Sequence, residues 1–150
     1  TAVPMGSDLT HENPDFWVQA IRDPDAAPLD RLQIVKGWIE DGKAQQRVWD
    51  VACADERIPD ENGQCADSPA EVDTKNCNIN QQLGAAQLSA RFSDPTFNKD
   101  QHAFYYVRVF ENATCRWTTW LANSANTAPP SDVPPITQQR GWSSPIWLLP

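Results

Sequence analysis

Ala103-Phe104-Tyr105-Tyr106-Val107-Arg108-Val109-Phe110-Glu111 is the stretch that decides the fold. Seven of its nine residues are β-branched, aromatic, or Ala beside them, and no Gly or Pro interrupts it. Such a run reads as a central β-strand. Tyr105, Val107 and Val109 share one face, and Phe104, Tyr106, Arg108 and Phe110 share the other. Both faces carry large apolar groups, so both are expected to be covered. The closing segment Trp142-Ser143-Ser144-Pro145-Ile146-Trp147-Leu148 is its natural mate.

Working outward, Pro14 to Arg22 alternates and ends in the turn Asp23-Pro24-Asp25. Leu32 and Ile34 against Arg31 and Gln33 show period two, and Gly37 would weaken a helix there by about 1 kcal/mol. Asp41-Gly42 is a preferred hairpin turn, so Gln45 to Ala52 is the returning strand. Gly37 then marks a bulge or a close backbone approach. Ala86 to Phe92 alternates, and Ser93-Asp94-Pro95 turns the chain.

Six strands are expected, at 15–22, 31–39, 45–53, 86–93, 103–111 and 143–149. Between them lie an acidic excursion at 55–83 and a Pro-rich crossing at 112–141 carrying Pro129-Pro130 and Pro134-Pro135. The profile is mainly β: one antiparallel β-sandwich domain over 1–150, an immunoglobulin-like arrangement among the options, with long irregular loops.

The 12 basic and 20 acidic side chains leave a net charge of −8, which argues against nucleic-acid phosphate and anionic membrane surfaces. No apolar run approaches the roughly 20 residues of a membrane span, and the N-terminus lacks the pattern of a signal peptide. The chain reads as a mature product or a piece of something longer.

The four cysteines, Cys53, Cys65, Cys77 and Cys115, have no metal-ligand spacing and suggest two disulfides, hence a periplasmic or secreted setting. Cys53 and Cys115 sit at the ends of strands that could be neighbours. Cys65 and Cys77 would close a loop of 11 intervening residues, with about 3 kcal/mol of loop entropy. The expected pairing is Cys53–Cys115 with Cys65–Cys77. The alternative joins Cys53 to Cys65 and leaves Cys77 to reach Cys115 across the sandwich end.

No catalytic, cofactor-binding or metal-ligating residue emerges. His11 and His102 follow polar, loop-like residues and read as surface or capping groups. A Cys115–His102 pair is conceivable, but Cys115 is better explained as a disulfide partner. The acidic excursion invites a calcium reading. In the nearest EF-hand register Asp60, Asn62 and Gly63 fit, but Ile58 and Pro69 occupy the two ligand positions that matter most, so a solvated acidic loop is preferred. Asn112-Ala113-Thr114 is a glycosylation sequon, without meaning in a bacterial protein. Trp17, Trp38 and Trp49 read as core residues rather than a sugar platform, and Trp117 and Trp120 as anchors of the crossing.

Several segments together resemble one family. They are Arg22 to Asp25 with Leu29 to Trp38, Val48 to Ala52, Ser93 to Phe97, Gln101 to Val109, Cys115 to Trp120, and Gln139 to Trp147. The set is similar to the C-terminal region of the bacterial DUF3604 proteins, long chains whose front part resembles the PHP-type metal-dependent phosphoesterases. The histidines of that front part match nothing here, so no catalytic role carries over to any position. The resemblance implies a non-catalytic accessory β domain with an N-terminal PHP-like domain as its partner. Two alternatives stand beside it: a carbohydrate- or ligand-binding module using exposed Trp, and a metal-dependent hydrolase in its own right. An accessory module is expected to expose an apolar patch drawn from Met5, Trp17, Trp120 and Leu148-Leu149.

Overall fold

A computed structural model describes residues 2–10 and 13–150. In chain order the strands are Asp8–Thr10 (β1), Asp15–Ile21 (β2), Leu29–Glu40 (β3), Lys43–Cys53 (β4), Gln87–Ser93 (β5), Ala103–Glu111 (β6) and Thr114–Cys115 (β7). The helix Trp117–Ser124 (α1) follows, then Ile136–Thr137 (β8), Arg140–Trp142 (β9) and Ile146–Leu149 (β10). The fold is mainly β and mostly antiparallel, as the sequence indicates.

The main sheet runs β1-β10-β6-β3-β4, with β9 also pairing β6. β6 is flanked by β3 along most of its length and by β10 and β9 on the other side, so it is the central strand. The closing segment mates with it in two pieces. β10 lies opposite Ala103 to Tyr105, and β9 opposite Arg108 to Phe110. Ser143 spans the gap: its N–H donates to Val107 O at 3.0 Å, and its hydroxyl accepts from Val107 N–H at 2.9 Å. Pro145 has no N–H to continue the ladder, which explains why the expected 143–149 strand begins only at Ile146.

The β3–β4 hairpin turns at Asp41 and Gly42, both with positive φ as a two-residue turn of this kind requires. Gly37 is a close approach and not a bulge: a Cβ there would collide with the tip of the Phe104 ring. The register shifts fall elsewhere, at Leu32/Gln33 and Leu29/Arg31.

A two-stranded ribbon, β2–β5, packs over the inner face of the main sheet. Phe16, Val18 and Leu88 point down from it onto Leu32, Ile34, Trp49, Tyr105 and Leu148, and all are buried. Phe16 and Tyr105 meet with ring centroids 4.9 Å apart. A buried ion pair crosses this interface. Lys36 Nζ donates to Asp94 Oδ2 at 2.6 Å and to Thr96 O at 3.1 Å. Tyr105 OH also donates to Asp94 Oδ2, at 2.8 Å, while the Thr96 N–H and hydroxyl satisfy Oδ1.

Among the described residues no second layer of strands covers the outer face of β6. Phe110 is buried under three guanidiniums, Arg31, Arg108 and Arg140, centred 4.3, 5.2 and 5.4 Å from its ring. Phe104 lies over Gly37 and stacks on Tyr106.

Two expectations are corrected here. The crossing at 112–141 is not merely extended: it contains β7, α1, β8 and β9. The disulfides are Cys53–Cys65 and Cys77–Cys115, with Cα–Cα distances of 5.9 and 5.5 Å. The excursion therefore is not closed on itself. Its start folds back on β4, where Asp50 Oδ2 accepts the Cys65 N–H at 2.7 Å and Asp50 N–H donates to Gly63 O at 2.7 Å. That contact presents Cys65 to Cys53, and the excursion's far end is left to meet β7.

Burial pushes the Asp94 carboxyl up, but hydrogen bonds from Lys36, Thr96 and Tyr105 outweigh it and hold its pKa below the ordinary value. A depressed folded-state pKa means stabilisation that is fully present above about pH 4, the unfolded carboxyl's range, and lost as pH falls through the folded value. The stability difference between the native chain and Asp94→Asn should therefore shrink on acidification from pH 7 to pH 3, read as urea midpoints. Lys36→Met leaves a buried, unpaired carboxylate and should cost about 3–5 kcal/mol at neutral pH.

Candidate functional site

A two-stranded ribbon cannot cover a six-stranded sheet. β5 packs toward β4 and β3, and Phe16 of β2 reaches Tyr105 of β6. The inner face beyond β2, over β9 and β10, is left open as a groove of about 800 Å³. Its floor is Ile34, Val107, Val109 and Ile146, and its rim carries Met5, Trp17 and Trp142. The three rim side chains are exposed, Trp17 to 80%.

Asp15 and Tyr105 are among the ionisable side chains that line the groove. Asp15 on its wall is bound by the Arg91 guanidinium, whose hydrogen bond holds the carboxyl below its usual range. Tyr105 has its phenol pushed far above the ordinary value by burial and by Asp94. Neither changes charge near neutral pH. The groove's chemistry is that of apolar contact plus backbone hydrogen bonding.

A second exposed apolar surface lies on α1. Trp117 is 70% exposed, Trp120 60% and Leu121 52%, whereas Thr119 and Ala122 are buried. The small residues face inward and the large ones outward, the reverse of an ordinary surface helix. Cys77–Cys115 anchors this region, and Asn123 Nδ2 donates to Thr74 O and Lys75 O at 2.9 and 3.0 Å. Trp117, Trp120 and Leu121 stand at i, i+3 and i+4, a helical spacing legible in the sequence but hidden by the flanking prolines.

The residues singled out by sequence separate sharply. Trp49 is buried and Trp38 half-buried, as core residues should be, but Trp17 is not core. It sits on the solvent side of β2, because Phe16 and Val18 take the inward positions. Trp117 and Trp120 do not anchor the crossing inward. The expected apolar patch does not form as one surface: Met5 and Trp17 both lie at the groove, Trp120 belongs to the helix surface, Leu148 is buried and Leu149 is exposed. His102 is exposed, and Cys115, bridged to Cys77, has no thiol to offer it. His11 lies outside the described residues.

The acidic excursion uses its carboxylates as local acceptors. Asp60 takes the N–H groups of Asn62 and Gln64 at 2.9 and 2.8 Å, and Asp73 takes that of Lys75 at 2.9 Å. Both carboxyls are held below their usual pKa, Asp60 chiefly by the Gln64 N–H and Asp73 chiefly by Asn76. Among the described residues no three His, Cys, Asp or Glu side chains converge as metal ligands would. Sequence reasoning missed the group that organises the excursion: Arg57 Nη2 donates to Asp30 O and Asp30 Oδ1, while Nε and Nη1 reach Ala54 O and Ala66 O. Asp30, buried at the β3 bulge, also accepts from Arg31 and Gln138.

The sequon residue Asn112 is buried and fully engaged. Its Oδ1 accepts from the Ser68 hydroxyl at 2.6 Å, and its Nδ2 donates to Leu83 O at 2.9 Å. It packs against Gly84, whose φ of +95° and lack of a Cβ are both needed. A Cβ there would meet Asn112 Nδ2 at 2.6 Å and Leu29 O at 2.9 Å.

The chain belongs to the family described as "Protein of unknown function (DUF3604)", whose model matches residues 1–150. No curated protein and no solved structure matches it.

Asn112 should be structural. Asn112→Ala leaves the Leu83 carbonyl without its donor and is expected to cost about 1–3 kcal/mol in a urea titration. Secreted from a eukaryotic host, the folded monomer should carry no glycan at Asn112, so glycosidase treatment leaves its intact mass unchanged.

Proposed function

We propose that this chain is a non-catalytic β module that packs against, and shapes the substrate entrance of, a PHP-like metal-dependent hydrolase domain within a longer, extracytoplasmic bacterial DUF3604 protein. The observation that carries this reading is the inverted helix α1. Two tryptophans and a leucine turned to solvent, on a helix fixed by the Cys77–Cys115 bridge, are costly for a free domain and favourable for one that is covered. Buried against a partner, each such side chain is worth about 1.5–3 kcal/mol. Two disulfides, and no described helix long and apolar enough to cross a membrane, fit a periplasmic or secreted setting.

The test is paired. Incubated with generic phosphate esters and added Mn²⁺ or Zn²⁺, the isolated chain should give no turnover above buffer. Metal-dependent hydrolysis surviving repurification would overturn the reading. In the longer protein, Trp117→Ala with Trp120→Ala should lower the thermal midpoint of the hydrolase domain while leaving the isolated module's own midpoint within a degree or two. An unchanged hydrolase midpoint counts against the packing.

A second reading has a specific observation behind it. Trp17 stands on the β2–β5 ribbon with Arg91 centred 5.8 Å from its ring and polar Gln19 and Ser89 adjoining. An aromatic face ringed by hydrogen-bonding groups suits a sugar ring. Tryptophan fluorescence of the chain, titrated with soluble glucans and mannan, should saturate in the native protein and not in Trp17→Ala. A flat response in both removes this reading.

A further inference from the structure

We infer that the free edge of β2, with the groove beside it, is a site for one added β-strand: an extended, uncharged polypeptide segment contributed by the partner domain. The inference rests on the accessory reading above and names the contact that reading lacks.

The backbone supplies the first argument. Among the described residues β2 pairs only with β5, in an unbroken antiparallel register from Asp15↔Ser93 to Ile21↔Gln87. Arg22 N–H donates to Ala86 O at 3.0 Å, so 22↔86 is a hydrogen-bonded pair. Hydrogen-bonded pairs alternate along an antiparallel ladder, which makes 20↔88, 18↔90 and 16↔92 the next ones. The N–H and C=O groups of Asp15, Trp17, Gln19 and Ile21 therefore aim at the open edge, toward the groove. Groups repeated every second residue, about 6.8 Å apart, are the template for another strand.

The groove supplies the second. A strand laid along that edge sets alternate side chains down on Val107, Val109 and Ile146, which are half-exposed, and stands a neighbour beside Trp17. Charge complementarity fixes the chemistry of those side chains. Among the described residues lining the groove, Asp15 is the single carboxylate and Arg91 already neutralises it. Among the described residues no lysine or arginine lines the groove. A charged inward side chain would be desolvated there with no partner, whereas an apolar one is favoured.

The third argument is the lack of any guard on this edge. Exposed edge strands are ordinarily blunted by Lys, Pro, a bulge or a covering loop. β2, Asp15-Phe16-Trp17-Val18-Gln19-Ala20-Ile21, has no Lys, Pro or bulge within its span, and its single charged residue, Asp15, stands at the strand's start and is bound by Arg91. The molecule does guard its other long edge. β4 carries Lys43 and Arg47, and the excursion covers it through Asp50 N–H to Gly63 O and Gln64 Nε2 to Val48 O.

Amide hydrogen exchange, run on the isolated chain and on the longer protein, tests this. In the isolated chain Phe16, Val18 and Ala20 should be protected, and Trp17 and Gln19 should exchange freely. In the longer protein Trp17 and Gln19 should slow by about 100-fold or more. If they exchange equally fast in both while α1 is shielded, strand addition is wrong and the accessory reading stands. If neither β2 nor α1 changes, both fall. Gln19→Pro removes one outward donor and leaves the bonds to β5 intact. It should preserve the isolated chain's near-ultraviolet circular dichroism and abolish the added protection at Trp17. Protection that survives in the variant refutes the proposal.

Discussion

The Lys36–Asp94 pair is the constraint on which the two-layer arrangement depends. Lys36 belongs to the main sheet and Asp94 to the turn closing the ribbon, and both are buried. Two charges removed from water are costly unless every remaining lone pair and proton is satisfied. Here they are satisfied from several directions: by Thr96, by the Tyr105 hydroxyl, and by the Thr96 carbonyl on the lysine. Lys36 also faces the rings of Trp38 and Tyr105 at 5.3 and 5.7 Å. Apolar packing alone would tolerate a ribbon slid along the sheet. A desolvated ion pair does not, because any slip leaves a bare charge. The pair thus fixes where the ribbon sits and, with it, where the ribbon ends.

Where the ribbon ends creates the groove. β5 is committed to the β4 side, so the uncovered strip lies over β9 and β10, with Trp17, Met5 and Trp142 around it. The opposite face of the sheet needs no second layer, because arginines cap Phe110 and Phe104 rests on the bare backbone of Gly37. The excursion and the crossing are held by polar links instead of a core: Arg57 on Asp30, Asn112 between Ser68 and Leu83, and the two disulfides. The bridges span separations of 12 and 38 residues, and the chain-entropy model assigns them about 3 and about 4 kcal/mol. Polar links and covalent bridges do in the loops what apolar burial does in the sandwich.

Such an arrangement leaves large side chains outside where a free domain would place them inside. The groove rim and the α1 face are separate surfaces, one offering backbone edge and apolar floor, the other a cluster of indoles. Of the groove's described ionisable groups, Asp15 is held ionised by Arg91 and Tyr105 is held protonated by burial and by Asp94.

The amino-acid sequence by itself determined the long strands β2 to β6, because their signals are local: alternation in β2 and β5, the uninterrupted run of β6, and the Asp41-Gly42 hairpin turn between β3 and β4; the short strands β1, β7, β8 and β9 carry no such signal. It also marked Gly37 as either a bulge or a close approach, and the Phe104 ring lying over it decides for the close approach. Only the tertiary structure decided the rest. Disulfide partners are set by Cα distances of a few ångströms, and those follow from Asp50 gathering in Cys65, a contact between distant residues that no spacing announces. Trp17 and Trp49 have the same chemistry and both lie in strands, but their fates differ by which face the neighbouring layer covers. That choice rests on Lys36 finding Asp94, 58 residues away along the chain, and a non-local pairing is not written in any window of sequence.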